Sequence, residues 1–190
     1  MYTPKQFSLS HVTGISEKNI QEHYLLYEGY IKNTNMILET INQPASVPDY
    51  ALREMYRRFG FEFNGMRNHE YFFEQWTFPP QPLGNETALY KKITSQFGSF
   101  DAWQQQFSHL AINRGVGWAV LYYDPVQDLL ISTWIDEQHI GHLHSVQWIL
   151  GIDMWEHAYI YDYPTSDKKS YITAWFDNLN WEIISKRFGI

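Results

Sequence analysis

The stretch "TFPPQPLGNE", residues 77–86, sets the plan of the whole chain. Its three prolines have no amide hydrogen to donate and fix φ near −65°, so neither a helix nor a central strand runs through it. It is the best linker candidate in the sequence and predicts two lobes, residues 1–80 and 81–190. At 190 residues the chain can bury roughly two-thirds of the surface its unfolded form exposes, so a core needs no staple.

The two lobes differ in periodicity. From Ser16, "SEKNIQEHYLLYEGYIKNTNMILETI" predicts a helix. Ser16 can cap it, Glu17 lies in the first turn, and Ile20, His23, Tyr27, Tyr30 and Thr34 recur at spacings of three and four. "NQPASVPDY" breaks that helix. "YALREMYRRFGFEFNGMRNHEYFFEQW" resumes it, with interruptions expected near Gly60 and Gly65 and with His69 in its later part. Beyond the proline segment, Ser99 can cap "FDAWQQQFSHLAI". "WAVLYYD" and "DLLISTWI" read as a hairpin with Pro125 in its turn, "SVQWILGID" as a third strand, and "SYITAWFDNLNWEIISKRF" as a closing helix. The expected fold is α+β: an antiparallel helical hairpin lobe followed by an α/β lobe with a short three-stranded antiparallel sheet.

Composition narrows the chemistry. A net charge of −7, with no Lys/Arg run longer than two, argues against nucleic acid as a partner. No window approaches the roughly 18 apolar residues of a membrane span, and no charged-then-apolar leader opens the chain, so a soluble cytoplasmic protein is expected. With eight His and no Cys, any metal must be held by His, Asp and Glu. His11 and His109 have no suggestive neighbours. Asp153 and His157, four apart in "DMWEH", can converge on one ion, and with His23 and His69 they make an N/O donor set suited to Fe, Mn or Zn. A rival lies in "HIGHLH", where His139, His142 and His144 could hold zinc for a metal-activated water, although the acid of such hydrolase motifs is missing nearby. Glu156 would need a partner if its neighbours bury it.

"DMWEHAYIYDY" resembles the D-x-W-E-H-A-(Y/F) signature of the iron/manganese superoxide dismutases. "FGSFDAWQQQF", "GVGWAVL", "NLNWEIISKRF" and "NH" at 68–69 are similar to further family segments, so the resemblance covers nearly the whole chain. It implies His23, His69, Asp153 and His157 as ligands of one Mn or Fe ion per subunit between the lobes, with solvent as fifth ligand. It also implies that Asp153 ends a strand and His157 follows in a turn. The activity implied is disproportionation of superoxide to dioxygen and hydrogen peroxide. Gln138, fifteen residues before Asp153, takes the place of the family's amide beside the bound solvent, with His139 as runner-up. The family's other glutamine location, four before the second His ligand, holds Gly65, an arrangement usual in manganese forms. Trp118 and Trp155 correspond to pocket indoles.

The resemblance further makes Tyr30 the gateway tyrosine. It stands one residue nearer the ligand than usual, so Tyr27 is the alternative. Tyr27 occupies the position of a second histidine, and Ile160 that of the tyrosine reaching it from the partner subunit, so both ends of that contact differ together. Glu156 is implied to bridge to the partner's ligand histidine in a homodimer, and Lys168 or Lys169 to supply the entrance cation. The alternatives are a non-catalytic structural relative or a zinc hydrolase using residues 139–144.

Overall fold

A computed structural model describes residues 1–189. Helices α1 (Glu17–Asn42) and α2 (Asp49–Glu74) form the expected hairpin, joined through a 3-10 turn at Pro44–Ser46. The Ser16 hydroxyl caps α1 by accepting from the Asn19 amide at 3.2 Å. Its buried stripe, Asn19, His23, Tyr27, Ile31, Thr34 and Ile37, keeps the helical spacing read from the sequence. Helix α2 runs unbroken through Gly60 and Gly65, which corrects the expected interruptions. A helical glycine costs about 1 kcal/mol against alanine, and buried Phe61, Met66, Phe72 and Phe73 on the same helix offset that.

The proline segment is irregular, and the chain's far end pins it: Asn180 Nδ2 donates to the carbonyls of Thr77 and Pro79, and Gln81 N donates to Leu179 O. Helix α3 (Ala88–Phe97), capped by Thr87, is an element the sequence reading did not assign. Gly98, at φ +87°, turns the chain into α4 (Phe100–Ala111), where the Ser99 hydroxyl caps as expected. Strands β1 (Gly117–Asp124), β2 (Leu129–Asp136) and β3 (Gln147–Asp153) form one antiparallel sheet in the order β2-β1-β3. Central β1 pairs Trp118 with Ile135 on one side and Asp153 on the other. The tail is two helices rather than one, α5 (Lys168–Asp177) and α6 (Trp181–Ser185). Asn180 starts the second by accepting from the amides of Glu182 and Ile183.

The lobes are docked by polar side chains within an aromatic core. The Gln75 amide bonds both main-chain groups of Gly151 on β3, at 2.8 and 3.4 Å. The Arg187 guanidinium links Ile149 O, Tyr71 O and the Glu74 carboxylate. These contacts fix the end of α2 against the end of β3, where the site forms. Among the described residues no helix is long and apolar enough to cross a membrane.

Candidate metal centre

Four elements each deliver one donor. His23 comes from the second turn of α1, His69 from the last turns of α2, Asp153 from the end of β3, and His157 from the 3-10 turn Glu156–Ala158. Asp153 thus ends a strand and His157 follows in a turn, as the resemblance implied and not as a helical i, i+4 pair. Asp153 Oδ1 accepts from the Trp155 amide at 2.8 Å, and the Tyr171 hydroxyl donates to the Asp153 main-chain carbonyl at 2.9 Å, so the residue is held through both its side chain and its backbone. Its other oxygen, Oδ2, faces the Nε2 atoms of His157, His23 and His69 at 3.0, 3.1 and 3.6 Å.

This arrangement fits a metal ion. The four donor atoms lie within 4.8 Å of one another, and donors bound to one first-row ion at about 2.0–2.2 Å stand roughly 3–3.6 Å apart. His69 gives the clearest sign. Its Nδ1 is 2.6 Å from the Gly65 carbonyl, which can only accept, so Nδ1 carries the hydrogen and Nε2 presents a lone pair. That Nε2 is buried and has no hydrogen-bond partner, a costly state that a cation relieves. Burial, with the neighbouring His23 next, pushes His69 down to about 3. His23 is likewise lowered by burial. Burial raises Asp153, but His157 and His23 beside it outweigh that and hold it below the usual carboxylate range. Neutral His23 and His69 beside an ionised Asp153 are the protonation states a cation requires.

Around the donors, Tyr30 and Gln138 meet. The Tyr30 ring lies 5.1 Å from that of His69, and its hydroxyl accepts from Gln138 Nε2 at 3.1 Å. Gln138 is fully buried, and its Oε1 accepts from Trp118 Nε1 at 2.9 Å. Trp118 packs edge-on to His69, and Trp155 stacks on His157. Helix α1 is continuous, so seven residues rotate Tyr30 by about 700°, only about 20° short of two turns from His23. The shorter spacing is therefore accommodated without a break. Burial, then the Asp153 charge, pushes the Tyr30 phenol well above its ordinary value.

Tyr27 points elsewhere. It is fully buried, with its hydroxyl 3.0 Å from the Lys5 amide and 3.3 Å from Glu70 Oε1, and burial pushes it up to about 12. His139 also turns away, edge-on to Phe61. Glu156 is exposed on the chain, not buried by its neighbours, and Ile160 is exposed nearby. Lys168 shares a surface depression of about 460 Å³ with Glu156 and Arg114, whereas Lys169 lines a different one with Gln104 and His109. The "HIGHLH" histidines do not converge: His142 is bonded to Tyr122 and to the Gln138 carbonyl, and among the described residues only the 23/69/153/157 group meets metal spacing.

Sequence reasoning passed over two contributors, Asn68 and Tyr171, and gave Gly65 a different meaning. Asn68 donates to the Gln138 carbonyl at 3.0 Å, and its place beside His69 in "NH" was the available signal. Tyr171 supports Asp153, with no local motif to mark it. Gly65 faces Tyr30 so closely that a Cβ there would lie 2.5 Å from the ring.

The sequence model for the C-terminal domain of iron/manganese superoxide dismutases matches residues 85–187. A protein named superoxide dismutase [Fe] from Pyrobaculum aerophilum is 31% identical over 178 residues, covering 91% of this chain and 83% of that protein. A superoxide dismutase [Fe] from Cupriavidus metallidurans is 32% identical over 187 residues, covering 94% and 90%. Superoxide dismutase [Mn] 2 from Halobacterium salinarum is 31% identical over 183 residues, covering 92% and 86%. A match of this extent, with four donors converging as that family's chemistry needs, means that the chain belongs to the iron/manganese superoxide dismutase family.

Proposed function

We propose that the protein disproportionates superoxide, two superoxide anions and two protons giving dioxygen and hydrogen peroxide, with one Mn or Fe ion held by His23, His69, Asp153 and His157. The observation that carries this reading is the convergence of three imidazole Nε2 atoms on one buried carboxylate oxygen, one of them an unpartnered lone pair. When bound, Mn or Fe supplies reversible one-electron chemistry, which zinc lacks.

The chain's own residues supply the rest. Asp153 neutralises part of the cation's charge, and the tight packing around His69 excludes bulk water. Tyr30, kept protonated by burial, holds a phenolic hydrogen at the pocket. Because Gln138 Nε2 donates to the Tyr30 oxygen, that hydrogen is free to point toward substrate, and the peroxide product needs protons delivered there. Trp118 fixes the amide's other end. The exposed Glu156, with Ile160 and Tyr161 beside it, supports a homodimer formed across this face, in which Glu156 reaches the partner's site. Lys168, beside Glu156 and Arg114, is the better placed of the two lysines to attract an anion.

Reconstitution with each ion tests the reading. Stoichiometric Mn or Fe with superoxide turnover is expected, and Asp153→Ala should lose both. Retained turnover in purified Asp153→Ala protein, or no redox metal in an intact wild-type chain, would overturn it. The latter result is what a non-catalytic relative would give.

A further inference from the structure

We propose that His142 is a positioning residue for Gln138, clamping the turn that carries this amide to the phenol of Tyr122 on β1. The inference rests on the dismutase reading, within which Gln138 supports Tyr30.

Gln138 sits in a very short turn. Asp136 and Ile140 close it by exchanging amide bonds of 2.9 and 3.1 Å, and Glu137 within it adopts φ +52°. A non-glycine residue in the left-handed region persists only where its surroundings hold it. Glu137 is held through its own main chain, its amide donating to Val116 O at 3.0 Å and its carbonyl accepting from Trp155 Nε1 at 3.1 Å, and the next link of the turn is held at the Gln138 carbonyl oxygen. Asn68 Nδ2 donates to it at 3.0 Å and His142 Nε2 lies 3.1 Å away.

The chemistry of those partners fixes the imidazole's state. A carbonyl can only accept, so His142 Nε2 carries the hydrogen, and in a neutral ring Nδ1 is then an acceptor. The Tyr122 oxygen lies 2.7 Å from Nδ1, so the phenol donates. Tyr122 is buried, and both rings pack against Trp148, at 5.7 and 6.0 Å. The chain Tyr122–His142–Gln138 therefore runs one way from a rigid central strand to the turn. Strand β1 grips Gln138 twice: Trp118 holds its side-chain oxygen, and Tyr122 holds its main chain through His142. Asn68 adds the tie to α2 one residue before His69. The amide nitrogen that reaches Tyr30 is thus placed from both lobes. Groups that orient such an amide carry roughly 10–100-fold effects on metal-site activity.

The test compares wild type with His142→Phe, which keeps a ring but has neither nitrogen, and His142→Gln, whose terminal amide can restore a donor near the Nε2 position. Two quantities are read: the Gln138 side-chain amide signals by ¹H–¹⁵N NMR in the full chain loaded with redox-silent, diamagnetic zinc, and the reduction potential of the Mn-loaded protein. In His142→Phe the amide signals should shift or broaden, the potential should move and turnover should fall about tenfold or more at unchanged metal content. His142→Gln should restore turnover to within about threefold. Amide signals and potential that match wild type in His142→Phe would overturn the proposal, even with a lowered melting temperature, because that pattern belongs to a simple loop staple. Should His142→Phe not fold, Tyr122→Phe removes only the phenol donor; the same displacement of the Gln138 signals is expected, and unmoved signals overturn the proposal. Should wild type loaded with Mn or Fe not turn over superoxide, the dismutase reading fails, while the zinc-form NMR still decides whether His142 places Gln138.

Discussion

Gly65→Ala is the sharpest single test of how the two helices build the pocket. A Cβ at residue 65 would stand 2.5, 2.6 and 2.9 Å from Cδ1, Cε1 and Cγ of Tyr30, whereas ordinary contact begins at 3.4 Å. The ring would have to retreat by about 1 Å, enough to break its 3.1 Å bond with Gln138. Overpacking of this size costs about 1–3 kcal/mol. Alanine also returns about 1 kcal/mol of helix propensity, which would blur the sign of the result alone. Gly29 removes that ambiguity: it lies mid-helix in α1 with nothing within 4 Å of its would-be Cβ, so Gly29→Ala gains the propensity without the clash.

The difference between the two variants isolates the clash. Gly65→Ala should be less stable than Gly29→Ala by about 1–3 kcal/mol, a gap in melting temperature of roughly 2–12 °C for a chain of this size. Both proteins are compared in the same metal state, because a bound ion stabilises by mass action. Turnover should fall in Gly65→Ala and not in Gly29→Ala. Equal stability and activity of the pair would refute the packing of Tyr30 against α2 and return Tyr27 as the candidate gateway residue.

Other consequences are measurable. In metal-free protein, His69 and His23 have folded values below their unfolded 6.5, so the unfolded chain binds the extra protons and stability falls as pH drops below about 6.5, by up to about 1.4 kcal/mol per pH unit for each histidine. Asp153, depressed below 3.8, contributes stability that is lost only when pH falls below that value, so it does not enter the range from pH 7 to 5. Urea midpoints across that range should therefore decline, and a flat series would contradict the burial of neutral imidazoles. Tyr30→Phe should keep its metal and lose about tenfold or more in turnover, as measured by superoxide decay; an undiminished rate would exclude the phenolic hydrogen from the reaction. Glu156→Ala should shift sedimentation toward monomer, and an unchanged profile with full activity would count against Glu156 as a bridge between subunits.

Local features carried much of the architecture. Ser16 and Ser99 are caps because a hydroxyl before a helical stripe has few better uses, and both bond as expected. The ligands were legible through the family signature in "DMWEHAYIYDY": with no cysteine, spacing alone narrowed the donors to His, Asp and Glu and left "HIGHLH" as a rival. What failed were inferences that needed a second element. Gly65 reads as a breaker in one dimension and as clearance for Tyr30 in three. The closing helix splits because Asn180 caps α6 while bonding the proline segment a hundred residues away, a demand invisible within "DNLNWEII". Whether Glu156 is buried depended on both Trp155 and Ala158 being core; Ala158 is, Trp155 is only half-buried, and the 3-10 turn carries Glu156 out.

Tyr27 and Ile160 follow from the same geometry. On one chain the two positions no longer share a task. Tyr27 is fully buried and spends its hydroxyl on the Lys5 amide and Glu70, while Ile160, 45% exposed, has no polar atom in its side chain to offer. Tyr24 donates to the Lys5 carbonyl, so two tyrosines of α1 fasten the N-terminal segment at one residue. In the proposed homodimer, a side chain committed to that anchor would have no hydroxyl to spare for a neighbouring subunit, and an isoleucine facing it would leave no polar group stranded. Within the proposed mechanism, proton delivery then rests on the Tyr30–Gln138 side of the pocket. On that reading the clearance at Gly65 and the proposed clamp on Gln138 bear more of the positioning than they would beside a second hydrogen-bonded route through Tyr27.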